Sequence, residues 1–155
     1  MVRENLLGFR VEPYLMRVET GKIVEFAAAV KASNPIHYDA EAARGAGYDD
    51  IVAPPTFSAV SQHWAPKTGN VLGLDLKRTL AGGTEWEYHE PITAGEELTI
   101  EGTVVSVEHK EGRRGGMTKI VIRETFTNAA GKTAMVVNRT IMELDSPTEK
   151  GGADS

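Results

Sequence analysis

The sequence predicts a single α+β domain in which an antiparallel sheet wraps around a central helix. Two observations lead to this class. Apolar residues recur at helical spacing in residues 21–32 and again after the prolines at 54–55, and from about Val71 onward they alternate with polar residues. Helices followed by long strands with short turns are typical of such a domain. The chain of 155 residues is long enough for one domain with one core, which we expect to span residues 1–145.

Three helices are predicted before the strands. The first covers residues 21–32 and is capped by Thr20, and its buried face carries Ile23, Phe26, Ala27 and Val30. A short second helix follows Asp39, whose carboxylate can accept hydrogen bonds from the first N–H groups of that helix. The third and central helix starts at Pro54-Pro55 and ends before Pro66, because a residue that precedes proline avoids helical geometry. We expect its buried side to carry Phe57, Val60, Ser61 and Trp64.

Alternation of apolar and polar residues predicts about four long strands. Trp86 and Tyr88 alternate with charged residues in the first of them, and the last covers residues 133–144. Two more lie between these, around residues 98–104 and 120–126. The segment 6–18 contains Pro13 and is interpreted as an irregular lead-in or a short edge strand. Residues 146–155 are mostly small and polar, so we expect a disordered C-terminal tail.

Composition excludes several classes of function. A net charge of −5 and a pI near 5.4 argue against binding to nucleic acid, which favours a basic surface. No apolar run is long enough to cross a membrane, and no signal-peptide core follows the first residues. The chain has no cysteine, which excludes disulfides, thiol nucleophiles and cysteine metal sites, and its four histidines lack metal-ligand spacing. We therefore expect a cytoplasmic protein without a metal or another cofactor.

His37 is the best candidate for proton chemistry in the sequence. Pro35 fixes its own φ, removes a backbone donor and pushes Asn34 out of the helical region. His37 is therefore expected on a turn of defined direction that can open into a cleft. The alternative is that the ring only braces the turn after Pro35.

Four neighbours of His37 are further candidates for the site. Asn34 can orient a water or a substrate amide, although an asparagine before proline is also a common turn former. Thr56 is the first residue after the tandem prolines that has an N–H, and it lies at a predicted helix N-terminus, where an anionic oxygen is favoured. It is our candidate oxyanion donor. Pro55 and Phe57 are expected to contact the substrate.

The motifs of this region resemble one protein family. Asn-Pro-Ile-His-x-Asp at residues 34–39, Gly-Tyr at 47–48 and Ile-Val-Ala-Pro-Pro-Thr-Phe at 51–57 are similar to the MaoC-like hot-dog proteins. That family includes (R)-specific enoyl-CoA hydratases and (3R)-hydroxyacyl dehydratases, and the likeness is nearest to its N-terminal dehydratase branch. It continues through residues 82–92 and 112–117 to about residue 141. The resemblance implies the hot-dog fold, a sheet wrapped on a central helix.

The chain departs from the family pattern at two catalytic positions. Active members activate a water with a His on this loop and an Asp five residues before it, and they polarise the thioester carbonyl with an N–H at a His-Gly step. His37 matches the family His. Ala32 stands in place of the Asp, and Ala53-Pro54 replaces the His-Gly step, where a proline has no N–H to offer. One of the three catalytic elements is therefore present.

The resemblance implies a subunit of an (R)-specific enoyl-thioester hydratase or 3-hydroxyacyl-thioester dehydratase. We expect this chain to be a catalytically incomplete half that shapes the acyl pocket, with acyl-CoA or an acyl carrier protein thioester as substrate. Its dimer partner would be a catalytically complete hot-dog subunit or a second copy. Two alternatives stay open. One is a self-sufficient homodimeric hydratase that uses His37 with a carboxylate from elsewhere, and the other is a non-catalytic module that binds acyl thioesters.

Overall fold

A computed structural model describes residues 3–67, 69–113 and 115–147 of the chain. Its strands are β1 (Arg10–Arg17), β2 (Thr79–Tyr88), β3 (Glu97–Gly112), β4 (Gly115–Thr127) and β5 (Thr133–Leu144), and its α-helices are α1 (Thr20–Ala29) and α2 (Ala40–Gly45). Four short 3₁₀ helices cover Glu4–Leu6, Pro35–His37, Phe57–His63 and Leu76–Arg78. Most of the predicted tail, residues 148–155, lies outside the described residues.

The five strands form one antiparallel sheet in the order β1-β3-β4-β5-β2. The predicted α+β class is thus confirmed. The fifth strand is β1, which lies at the edge of the sheet, so of the two interpretations of residues 6–18 the edge strand is the correct one. Its register with β3 shifts between Val11 and Tyr14, so Pro13 falls in the irregularity, where no ladder hydrogen bond is needed from it.

The predicted central α-helix is wrong in type, because the segment Phe57–His63 is a 3₁₀ helix. Only about ten residues separate the tandem prolines from Pro66, and a helix this short is marginal and easily tightens to three residues per turn. The buried face changes accordingly. Its members are Phe57, Ser58, Val60 and Ser61, two pairs spaced three residues apart, whereas Trp64 is only partly buried.

Helix α1 also differs from its prediction at both ends. It starts at Thr20, so Glu19 takes the capping position, and Glu19 makes no side-chain cap hydrogen bond. The helix ends at Ala29, and Lys31 adopts a left-handed φ of 58°. Val30 is therefore outside the helix and 47% exposed, although the periodicity placed it on the buried face. Ile23 and Ala27 are buried as expected.

The core has two parts along the inner face of the sheet. The larger part joins the sheet to α1 and to the 3₁₀ helix that starts at Phe57, and it includes Ile23, Phe57, Leu98, Ile100, Phe126 and Met135. The smaller part lies under the N-terminal segment and residues 72–74, and it includes Leu6, Leu72, Leu74, Val104, Ile120 and Ile122. Among the described helices, none has both the length and the apolar character needed to cross a membrane.

Candidate active site

A cavity of about 340 Å³ opens beside the turn that carries His37. Residues 36–58 form one wall, and the other is formed by the end of β2, the following loop and one residue of the neighbouring strand β5. The first wall consists of Ile36, His37, Tyr48, Val52, Ala53, Pro54, Pro55, Phe57 and Ser58, and the second of Tyr88, Glu90, Pro91, Ile92 and Met135. Most of these side chains are apolar, which is typical of a small-molecule site with few orienting polar groups.

His37 is 8% exposed, and its hydrogen bonding defines its tautomer. The Nδ1 atom lies 2.6 Å from the carbonyl oxygen of Val52. Because a carbonyl oxygen only accepts hydrogen bonds, Nδ1 must carry the proton and donate it. In the neutral ring, Nε2 is then left with a lone pair. A histidine in this state can take a proton from a water or a hydroxyl group, so the geometry suits a general base.

The turn around His37 is held by local hydrogen bonds. The Asn34 side-chain oxygen accepts from the Ile36 N–H at 3.2 Å, which caps the 3₁₀ helix Pro35–His37. The Val52 N–H donates to the Ile36 carbonyl at 3.0 Å. Together with the bond from the His37 ring, this ties residues 36–37 to Val52 in both directions. His37 therefore braces the turn and lines the cavity at the same time.

At the family's carboxylate position, the structure places only a methyl group and a backbone carbonyl. The carbonyl of Ala32 accepts a hydrogen bond from the Tyr38 hydroxyl at 2.5 Å. This contact joins the segment that follows α1 to the turn that carries His37. It offers no group that can share a proton with the His37 ring.

The backbone around the tandem prolines has few N–H groups to offer an oxyanion. The Ala53 N–H donates to the Ile92 carbonyl at 2.8 Å, and the Phe57 N–H donates to the Pro54 carbonyl at 3.0 Å. The Thr56 N–H has no acceptor among the described residues, but Thr56 is not one of the residues that line the cavity. Its role as an oxyanion donor stays a prediction.

The structure therefore brings three of the five predicted site residues to one cavity. His37, Pro55 and Phe57 line it, whereas Asn34 is exposed and uses its side-chain oxygen in the cap. The orienting role of Asn34 also stays a prediction.

Two further residues of the cavity were not singled out as candidates from the sequence. Glu90 is the one carboxylate among the described lining residues; it is about half-exposed, and its Oε1 lies 3.8 Å from Lys132 Nζ. Tyr88 donates its hydroxyl to the Pro55 carbonyl at 2.8 Å, and burial raises the pKa of this tyrosine. Tyr88 thus joins β2 to the proline segment. The sequence pointed to this place only through the end of the predicted strand at Tyr88, which lies two residues before Glu90 and Pro91.

A separate cluster at the far end of β3 unites His109, Glu111 and Asp145 on the surface. His109 Nε2 lies 2.9 Å from Asp145 Oδ2, and the hydrogen bond from His109 lowers the pKa of that carboxyl. No sequence spacing pointed to this group, because β3 and the residue that follows β5 meet only in the folded sheet. None of the three residues lines the cavity.

Comparisons with known proteins agree on one family. The family model described as FAS1-like, dehydratase domain region, matches residues 5–137. The chain is 36% identical over 137 residues to a UPF0336 protein of Saccharopolyspora erythraea, and the match covers 86% of this chain and 85% of that protein.

Solved structures give the same result. The fold matches the C-terminally truncated HadBC (3R-hydroxyacyl-ACP dehydratase) complex from Mycobacterium tuberculosis with a TM-score of 0.73 and 26% identity, over 91% of this chain and 99% of that chain. It also matches a MaoC-like dehydratase with a TM-score of 0.80 and 28% identity, over 94% of this chain and 44% of that one.

Proposed function

The chain belongs to the family described as the FAS1-like dehydratase domain region and is a MaoC-like hot-dog domain, and from this premise we propose that it is one half of an (R)-specific enoyl-thioester hydratase or 3-hydroxyacyl-thioester dehydratase. The reaction adds water reversibly across the double bond of a 2-enoyl thioester, with the hydroxyl on C3 and the proton on C2. The handle of the substrate is CoA or an acyl carrier protein.

One observation carries the proposal. His37 lines an apolar cavity and its Nδ1 is bound to Val52, but Ala32 supplies no carboxylate and Ala53-Pro54 supplies no free N–H. A base without a carboxylate partner and without an oxyanion donor lacks the groups that share its proton and stabilise the enolate-like charge of the transition state. A site of this kind binds an acyl chain better than it transforms one.

The chemistry then belongs to a partner hot-dog subunit that has the complete motif. This chain would provide the apolar cavity wall and the sheet edge against which the partner packs. Two similarities support the arrangement. The HadBC match is to a complex, and the MaoC-like dehydratase is matched over only 44% of its length, so this chain corresponds to one part of a longer protein.

The test is a hydration assay with a 2-enoyl-CoA. We expect the purified chain alone to be at least about 10⁴-fold slower than the same chain co-expressed with a hot-dog subunit that carries both the Asp and the His. Loss of an oxyanion donor costs about 100-fold or more, and loss of acid–base assistance costs about 100-fold to 10,000-fold. Turnover by the chain alone at rates of about 1 s⁻¹ or faster would contradict the proposal, because that is ordinary for an enzyme.

The self-sufficient homodimeric hydratase is a second candidate, and Glu90 is the observation that favours it. Its side chain lines the cavity with His37, and among the described residues its carboxylate is held only by a long contact to Lys132. In this case the chain alone would be active, and Glu90→Gln and His37→Gln would each reduce kcat by about 100-fold or more. Equal rates of wild type and Glu90→Gln would exclude this role. Binding of acyl-CoA without turnover, even with the partner subunit, would instead identify a non-catalytic binding module.

A further inference from the structure

The surface cluster of His109, Glu111 and Asp145 combines one nitrogen donor with two carboxylates. His109 Nε2 lies 2.9 Å from Asp145 Oδ2, and His109 Nδ1 lies 3.7 Å from Glu111 Oε1. One donor atom of each residue lies within 4.8 Å of the donor atoms of the other two. We call these three residues the His109 cluster, and it is separate from the cavity beside His37.

The sheet itself positions the donors of the His109 cluster. His109 and Glu111 are two residues apart in β3, so their side chains lie on the same face, and they pair with Thr118 and Gly116 of β4. Asp145 follows β5 directly, and its N–H donates to the Gly116 carbonyl at 3.0 Å. All three donors are thus carried by hydrogen-bonded strands or by the residue next to one. Ligands on such elements are held more precisely than ligands on loops.

Gly116 leaves the space that the cluster occupies. A Cβ atom at this position would lie 2.8 Å from His109 Nε2 and would also collide with Asp145 Oδ2, which is closer than such atoms approach one another in proteins. The bare backbone of β4 therefore lets the imidazole and the carboxylate meet above it. Gly116 also lines a cavity of about 660 Å³ together with Glu111 and Asp145, and this cavity has room for an ion and its water molecules.

The charge and the donor atoms of the cluster suit a divalent transition metal. Two carboxylates supply two negative charges, and a neutral imidazole supplies the nitrogen that zinc prefers over magnesium or calcium. Zinc is commonly held by three protein ligands of these types, with water in the fourth position. Arg78 acts on Asp145 electrostatically, but its Nε donates to Asp75 and its Nη1 donates to the Leu144 carbonyl. The Asp145 carboxylate therefore stays available to an ion.

We propose that the His109 cluster binds a zinc-class divalent ion, which joins the end of β3 to the residue that follows β5. A carboxylate only accepts hydrogen bonds, so His109 Nε2 carries the proton in the contact with Asp145. The ion takes the place of this proton, which leaves to solvent. Glu111 is 79% exposed in its side chain and can rotate to complete the set of protein ligands. Sequence spacing could not reveal the site, because Asp145 lies 36 residues from His109.

The test is a calorimetric titration of the full chain with zinc chloride in a buffer that does not chelate metals. We expect one saturable site per chain. His109→Gln and Glu111→Gln should each weaken zinc affinity by at least about tenfold, because even a residue that only orients a metal ligand contributes about 10- to 100-fold. Zinc should raise the melting temperature of the wild type and leave that of His109→Gln unchanged. Melting curves without zinc check that both variants fold.

The matched control is His89→Gln. His89 Nε2 also lies 2.9 Å from a carboxylate oxygen, that of Glu87, but this pair belongs to no group of three ligands among the described residues. His89→Gln should therefore keep the wild-type zinc affinity. Magnesium, which prefers oxygen ligands, should bind at least about tenfold more weakly than zinc. A wild type without a saturable zinc site, equal affinity for the two ions, or equal zinc affinity of His109→Gln and His89→Gln would overturn the inference.

Discussion

His37 combines a structural hydrogen bond through one ring nitrogen with a proton-accepting site on the other. Its Nδ1–H is used to hold Val52, and this bond leaves Nε2 as the nitrogen without a proton. The proton-accepting atom is therefore set by the fold and not by a neighbouring carboxylate, since Ala32 has none to give. The sequence could identify the residue from Pro35 and from the motif, but the tautomer depends on a carbonyl fifteen residues away.

Glu143 gives a prediction at the same scale. It is 6% exposed, and Arg3 binds it through two hydrogen bonds of 2.8 Å each, while the Asp75 N–H donates to it at 2.7 Å. Burial alone would raise the pKa of Glu143, but these donors outweigh it and the net pKa is lowered. We expect Arg3→Met to reduce the free energy of unfolding at pH 7 by about 3 kcal/mol, because it leaves a buried carboxylate short of its partner.

The pH dependence of this effect has a defined sign. A carboxyl group whose folded pKa lies below its unfolded pKa stabilises the fold above the unfolded pKa and loses that contribution as the pH falls. The difference between wild type and Arg3→Met should therefore shrink from pH 7 to pH 3 in urea unfolding. Arg17→Met is the matched control, since its ion pair with Glu97 is exposed and is expected to contribute less than about 1 kcal/mol. Equal losses in the two variants would contradict the account.

The sequence analysis could not identify residues whose contacts are with distant parts of the chain. Glu90 lines the cavity because it follows the end of β2, and Glu124 of β4 contacts Arg139 of the neighbouring strand β5. Neither contact follows from local spacing. The N-cap of α2, by contrast, was predicted correctly, because a cap involves residues only two positions apart.

The cap of α2 leads to a prediction about the contribution of this one helix to stability. The Asp39 carboxylate accepts from the Glu41 N–H at 2.8 Å at the start of α2, a helix of only six residues. We expect Asp39→Ala to destabilise the protein by about 1 kcal/mol, which lowers the melting temperature by about 2–4 °C in a domain of this size. Asp39→Asn keeps an oxygen acceptor and should lose much less. A melting temperature that Asp39→Ala leaves unchanged would show that the cap contributes little.

The central helix shows where element prediction failed. Tandem prolines and Pro66 correctly bounded the segment, but the apolar spacing was interpreted with 3.6 residues per turn. Small Ser58 and Ser61 side chains pack inward at three-residue spacing instead, and this exposes the Ser58 carbonyl to Arg139. The 3₁₀ form thus places Ser58 both in the cavity lining and in contact with Arg139, which the helical spacing did not predict.

At the scale of the whole molecule, the sheet leaves β2 at one edge. Every residue of this strand is at least partly exposed, including Leu80 at 55%, Trp86 at 37% and Tyr88 at 54%. The apolar strand β5, by contrast, is covered by β4 and β2 on its two sides. An open edge with exposed apolar side chains invites pairing with another chain.

We therefore expect the purified protein to be dimeric at micromolar concentration, with β2 in the interface. Leu80→Lys should shift the sedimentation profile toward monomer, because a charge on an edge strand opposes pairing. Leu7→Lys is the control, since Leu7 is 61% exposed but lies outside the sheet. A wild-type protein that sediments as a monomer at this concentration would refute the prediction. The disorder of the tail after residue 145 remains a prediction from composition.

The central claim is that the partner subunit, and not this chain, performs the proton transfers. The most direct measurement compares kcat for a 2-enoyl-CoA in two complexes of this chain with a catalytically complete hot-dog subunit. One carries His37→Ala in this chain, and the other carries the equivalent substitution of the partner's motif histidine. The account predicts that the first complex keeps its rate within about threefold and that the second loses about 100-fold or more. A loss of that size from His37→Ala, with little change from the partner's substitution, would contradict it.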